Sequence, residues 1–248
     1  MKSIYIIFTM TLLLTIAAPV HSFQRVQQTK TPMSSLAHSF EPVLSTKDKY
    51  HLDAAELLAA CWKFSAVLRK IGQSTLAIDF ESNIRKAEAL YNSLAPSNNK
   101  KRRQSLASLL RLEQESGIHG PNAQLQDYSA ACGFLWIRRY LEFHVDMYSA
   151  ILASRDPKEA ALDAYRKQIE PFHGWALRKV FTSKLSTSMP SRDTFLAALG
   201  NFKSQDFGEE EEQIILNDLG ELVSIWRPIV IRWRTTYKEL DLEDTRRA

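Results

Sequence analysis

Three short segments carry residue types able to grip a polar ligand. The first is Asp79-Phe80-Glu81-Ser82-Asn83-Ile84-Arg85-Lys86. Asp79, Asn83 and Lys86 stand at i, i+4 and i+7, so a helix projects all three from one face. That face is turned about 100° from the Phe80/Ile84/Ala87 stripe, beside it rather than opposite. The row offers an acceptor, an amide with both functions and a cation. A ligand with hydroxyls and an amide could use all three, but a solvated helix face carries the same residue types. The second segment is Trp136-Ile137-Arg138-Arg139. Its indole is either a core side chain or a flat platform for the C–H face of a sugar ring. The third is Phe172-His173-Gly174-Trp175, directly after Pro171. Its imidazole is either a capping or core group or, when neutral, a donor to a carbonyl.

Local signatures of catalysis are absent from the sequence. It contains no HExxH, GxSxG, P-loop, CxxC or GxGxxG pattern, and no His/Cys spacing suited to a metal. The reading is therefore a chain without catalytic residues, metal or cofactor. An acid/base enzyme built on Asp79 and His173 is the minor alternative.

Helices must position these segments. Apolar residues recur with helical period from residue 50 onward. Eight helices are predicted: about Leu52–Ile71, Leu76–Leu94, Gln104–Glu115, Leu125–Ser154, Pro157–Ile169, Pro171–Thr187, Pro190–Gly200 and Glu209–Leu240. The longest apolar one holds Trp136, Tyr140, Phe143 and Met147 along one face. Gly72, Gly117 and Pro96 mark stops, and four acids from Glu209 favour a helix start. The prediction is a single all-α domain over residues 48–240, followed by a polar, frayed tail at 241–248.

The chain has 248 residues, 45% of them apolar and 24% charged, which excludes disordered and multi-pass membrane classes. Its formal charge is +4, but residues 1–40 hold Lys2, Arg25 and Lys30 and no acid. The rest is nearly neutral, so nucleic acid is not an expected partner. The dense cluster Lys100–Arg103 reads as a solvated loop or a contact for anionic lipid. Lys2 and the apolar run Ile4–Ala18 read as a cleavable secretory signal over 1–22. Residues 23–47 read as a polar leader or linker. Secretion is the default expectation; a bipartite plastid-targeting leader, or a cytosolic protein with the leader unused, are the alternatives. Cys61 and Cys132 are expected to be buried free thiols.

In their order along an all-helical chain, Asp79-x-x-x-Asn83-x-x-Lys86, then Trp136-Ile-Arg-Arg139, then Phe-His173-Gly-Trp175 resemble the glycolipid transfer protein family. The likeness covers about residues 50–240. It implies a two-layer helical sandwich without disulfides, holding a sphingolipid headgroup at the surface and its chains in a collapsible tunnel. By this resemblance Asp79 accepts from the ceramide amide and His173 donates to its carbonyl. Asn83 and Lys86 bind sugar hydroxyls, and Trp136 stacks on the first sugar. Val180 and Phe181 help line the tunnel. Arg139 matches a basic position of the sugar-binding branch. Relatives that carry ceramide-1-phosphate replace the tryptophan with a cation, so a glycosphingolipid is favoured over ceramide-1-phosphate. A lipid-sensing module without transfer is the remaining alternative. The implied protein is a monomer that meets the membrane peripherally. Shelter for the chains matters because exposing about 16 methylenes to water costs on the order of 13 kcal/mol.

Overall fold

The structure, a computed structural model, describes residues 30–44, 51–94 and 105–247. The secretory signal, most of the polar leader and the Lys100–Arg103 cluster lie outside the described residues.

Among the described residues nine α-helices follow one another: α1 (Pro32–Phe40), α2 (Ala54–Lys70), α3 (Ser74–Ser93), α4 (Leu106–Glu115), α5 (Ala130–Leu152), α6 (Pro157–Gln168), α7 (Trp175–Ser188), α8 (Arg192–Gly200) and α9 (Glu209–Glu239). Eight are those the periodicity predicts, with ends moved by a few residues. The starts have clear local causes. Asp53, Ser105, Ser129 and Asp156 each accept backbone N–H bonds at the heads of α2, α4, α5 and α6. Gly72 and Gly117 take φ of +80° and +72°, where a side chain would be strained. Pro228 lies inside α9, which nonetheless runs on to Glu239.

α5 is the central element. It packs against α3, α6 and α9; α9 meets α1 and α8, α1 meets α2, and α2 meets α3. The helices so close into a two-layer sandwich around one hydrophobic core, the expected fold class. Trp226, Trp233, Phe64, Phe80, Phe134 and Tyr148 are all fully buried there. Each contributes roughly 1.5–3 kcal/mol or more on burial. Cys61 and Cys132 are buried and unpaired, and burial raises both thiol pKa values.

Two boundaries predicted from the sequence are corrected. The packed body does not start at residue 48. Residues 32–43 form α1 and a 3-10 turn, with Met33, Leu36, Ala37, Phe40 and Val43 buried. The spacing 33, 36, 37, 40 is a helical stripe, hidden in the sequence by its Ser- and Thr-rich surroundings. Nor is the tail frayed. Leu242 is buried, Glu243 Oε1 sits 2.5 Å from Arg138, and Asp244 accepts from the Leu125 N–H at 2.9 Å. Arg246 closes the clasp by donating to the Leu125 carbonyl at 2.7 Å.

Candidate functional site

α3 and α5 approach closely because residue 133 is glycine. A Cβ there would stand 2.5 Å from the Asn83 carbonyl oxygen and 2.9 Å from the Lys86 Cβ. This contact brings the polar row of α3 against the face of α5 that carries Trp136. At the head of α5, the Glu113 carboxylate accepts from the Ala130 and Ala131 N–H groups at 2.8 and 2.6 Å. An anion there is favoured by the helix dipole and steadies the helix.

The third segment arrives from the other side. Pro171 is the second residue of a 3-10 turn over Glu170–Phe172, and His173 leaves it in extended conformation. Gly174 then caps α7. Arg178 Nε donates to the His173 carbonyl at 2.8 Å, which fixes the backbone of the imidazole. Its side chain is fixed by Tyr165, whose hydroxyl lies 3.1 Å from His173 Nδ1. When that hydroxyl donates to Nδ1, Nε2–H is left free to donate to a ligand.

The three segments converge on one cavity of about 190 Å³, lined by Asp79, Asn83, Lys86, Trp136, Tyr140, His173, Leu177 and Phe181. Tyr140 donates to Asp79 Oδ2 at 2.6 Å, so the other carboxylate oxygen can serve a ligand. Asn83 is buried; it donates to the Asp79 carbonyl at 3.0 Å and accepts from Lys86 Nζ at 3.3 Å. The Trp136 and His173 rings are 5.7 Å apart. Burial depresses the His173 pKa, opposed by the Asp79 charge, so the ring is neutral at neutral pH. Burial and the neighbouring Asp79 charge also raise the Tyr140 pKa, keeping the phenol a donor.

Two predicted residues stand elsewhere. Arg139 does not face the cavity. Its guanidinium lies 3.4 Å from the Phe172 ring centroid and 5.0 Å from that of Trp136, and donates to the Asp244 carbonyl. Burial lowers its pKa to about 10. It ties the tail to the back of Trp136 as a positioning residue. Val180 is 51% exposed. Leu177 and Phe181, one turn apart, line the cavity from α7, and Val180 is turned about 60° from the first and about 100° from the second. Among the described residues it is not part of the cavity lining.

Sequence reading missed Tyr140 and Tyr165 as site residues. Tyr140 was visible in the aromatic stripe with Trp136, whereas Tyr165 gives no signal until the turn before α7 is folded. A larger surface depression of about 460 Å³, lined by Lys30, Thr31, Lys70 and Asn201 among others, gathers none of the three segments. His38, Glu41 and Glu221 could each offer a ligand atom within 4.8 Å of the others, but this group lies apart from the cavity lining.

At about 190 Å³ the cavity is smaller than the roughly 300–1,000 Å³ of sites that enclose a drug-sized ligand. It suits a polar headgroup. On its Tyr140 side, Phe80, Phe64 and Trp226 follow one another edge to face.

A helical sandwich whose surface cavity joins a carboxylate, an amide, an amine, an indole and an imidazole is a lipid-headgroup binder in form. The model of the glycolipid transfer protein family matches residues 52–201, and the chain belongs to that family. Glycolipid transfer protein A of Xenopus laevis is 29% identical over 186 residues, covering 71% of this chain and 82% of that protein. Pleckstrin homology domain-containing family A member 8 of Danio rerio is 28% identical over 217 residues, 86% of this chain. The match spans only 37% of that longer relative. Among solved structures, FAPP2, described as selecting simple glycosphingolipids with this fold, aligns with a TM-score of 0.72 at 25% identity. That alignment covers 88% of this chain and 100% of the other. Mouse ceramide-1-phosphate transfer protein aligns with a TM-score of 0.71 over 86% of this chain and 98% of the other. At 19% identity that likeness speaks to the fold alone.

Proposed function

We propose that this protein is a non-catalytic carrier that moves glycosphingolipids between membranes. Asp79 accepts from the ceramide N–H, and His173 donates to the ceramide carbonyl. Asn83 and Lys86 take sugar hydroxyls while Trp136 stacks on the first sugar. No bond is made or broken, so the five groups need only recognise and hold.

The observation that carries this reading is the convergence of Asp79, Asn83, Lys86, Trp136 and His173 on one cavity. Its charge favours a neutral headgroup over a phosphate. Among the described residues, Lys86 is the one cation in the lining, and Asp79 faces the same space. Arg139 is shielded behind Trp136 and Phe172. A phosphate would meet a carboxylate there and one amine.

The membrane contact is assigned to the outer side of the mouth. Trp175 is 76% exposed, and Ile78, Leu177 and Val180 are exposed with it. Lys184 of α7 reaches Thr75 of α3 at 3.5 Å; Ile78 directly precedes the lining residue Asp79, and Leu177 lines the cavity itself. An exposed indole suits the membrane interface. Trp226 and Trp233, by contrast, are fully buried and unavailable to a membrane. For the N-terminal leader, delivery to the secretory pathway remains our proposal.

Vesicle-to-vesicle transfer of a labelled glucosyl- or galactosylceramide tests the reading. The wild type transfers it, while Asp79→Val and His173→Leu proteins that keep the wild-type circular dichroism lose about tenfold or more. Each such variant removes a hydrogen bond worth about 1–3 kcal/mol when its partner is left buried and unmatched. Normal transfer by both would overturn the assignment. Lipid capture without transfer would favour the sensing module instead.

A further inference from the structure

The face of α5 that forms the cavity wall continues into the core. His144 and Tyr148 follow Trp136 and Tyr140 at four-residue spacing, so four rings stand in one row along the helix. Trp136 and Tyr140 line the cavity. His144 and Tyr148 are 1% and 0% exposed. Each step along the row advances about 6 Å down the helix axis. The row is therefore a path from the mouth to the centre of the molecule.

Its inner end is an aromatic nest. His144 packs edge-on between Phe64 and Phe143, at 4.8 and 4.7 Å between centroids. Tyr148 lies 5.5 Å from His144 and stacks on Trp226 at 6.3 Å. Trp226 returns to Phe64 at 5.0 Å.

Hydrocarbon alone does not explain this nest. His144 Nδ1 donates to the Tyr140 carbonyl at 2.7 Å, which fixes the tautomer and leaves Nε2 a bare acceptor. Burial lowers the ring pKa to about 4, so it stays neutral. His144 Nε2, the Tyr148 hydroxyl and Trp226 Nε1 are all shut off from solvent and have no hydrogen-bond partner among the described residues. One orphan acceptor and two orphan donors share a single nest. Buried polar groups are paired in the large majority of cases, so three together call for a partner.

We propose that His144, Tyr148 and Trp226 form a hydrogen-bonding pocket for a hydroxyl carried partway along the hydrocarbon chain of a bound lipid. A hydroxyl answers both needs at once. Its hydrogen meets His144 Nε2, and its oxygen accepts from the Tyr148 hydroxyl or the Trp226 N–H. A keto oxygen satisfies the donors and leaves the imidazole bare. A plain methylene chain leaves all three unpaired. The protein thus reads the chain as well as the headgroup. Discrimination against the plain chain comes from buried polar groups left unmatched, the strong form of selectivity in a binding site. This inference rests on the carrier reading above and assigns the chain class to the same lipid.

The test is a competition for the full chain between two glucosylceramides that differ only by a mid-chain hydroxyl, read by native mass spectrometry. The wild type captures the hydroxylated lipid in about tenfold excess. Tyr148→Phe, which removes one oxygen at constant shape, and His144→Leu each abolish or reverse the preference while still capturing the plain lipid. Equal capture by the wild type overturns this inference alone. A preference that survives unchanged in Tyr148→Phe also overturns it, even if His144→Leu fails to fold. So does a bound structure in which an ordered water, not the chain hydroxyl, bridges the three groups. Capture of neither lipid overturns the carrier reading together with this one.

Discussion

α5 and α7 wall the same cavity and are built in opposite ways. α5 buries eighteen of its twenty-three residues, is anchored at its head by Glu113, and is clasped from behind by the tail through Arg138 and Arg139. α7 buries none of its fourteen. Its grip on the body comes from Phe181 stacked on Tyr165 at 5.8 Å, Leu177 at the cavity, and the Arg178 clamp on His173. Such sparse burial marks the low-stability end of a molecule. α5 therefore holds Trp136, and through the Gly133 contact the polar row of α3, in register, and under the proposed function α7 is the wall expected to yield.

The contrast is sharpened most by truncating one residue on each wall. Phe134→Ala empties a fully buried site beside Trp233 and should cost about 4 kcal/mol in urea unfolding. Val180→Ala on α7 should change stability by less than about 0.5 kcal/mol. Similar losses at both positions would break the distinction.

Acid should act on the fixed wall next. His144 titrates near 4 in the folded protein and near 6.5 when unfolded. The unfolded chain takes up the proton first, so stability falls as pH drops from about 6.5 to about 4 and levels off below that. The full loss is about 3 kcal/mol. His173, also depressed by burial, adds in the same direction. Glu81, held at about 2 chiefly by its bond to Arg69, contributes only below pH 4.5. Thermal melts of wild type and His144→Leu across this range isolate the imidazole; parallel curves would contradict its neutral burial.

A smaller effect is expected at the α3–α5 contact. Gly133→Ala forces a Cβ against the Asn83 carbonyl and should cost about 2 kcal/mol by overpacking. It should weaken headgroup binding too, because Asn83 and Lys86 move with α3. The smallest change tests the clasp. Glu243→Gln removes a charged partner of Arg138, and about 1.5 kcal/mol should be lost. An unchanged urea midpoint would mean that the tail does not brace α5.

Much of this was legible in the residues. Helical period and stop signals place eight helices, and the spacing of Asp79, Asn83 and Lys86 puts them on one face of α3. What escaped the sequence depends on contacts far apart along the chain. The apolar stripe of α1 is only four residues in a polar context, and its value appears when Phe40 meets Trp226 at 5.3 Å. The tail is polar by composition, yet it docks because Arg138 and Arg139 are buried and need partners. Family likeness places both Val180 and Phe181 in a tunnel wall; here Phe181 stacks on Tyr165 while Val180 is exposed. The unpaired His144, Tyr148 and Trp226 look like ordinary core aromatics until their hydrogen bonds are counted.

The most direct measurement is native mass spectrometry of the purified protein offered equal amounts of glucosylceramide, ceramide and ceramide-1-phosphate. A neutral-sugar mouth takes up glucosylceramide as the dominant one-to-one complex, and Trp136→Ala erases its advantage over ceramide. Dominant capture of ceramide-1-phosphate would contradict the account at its centre.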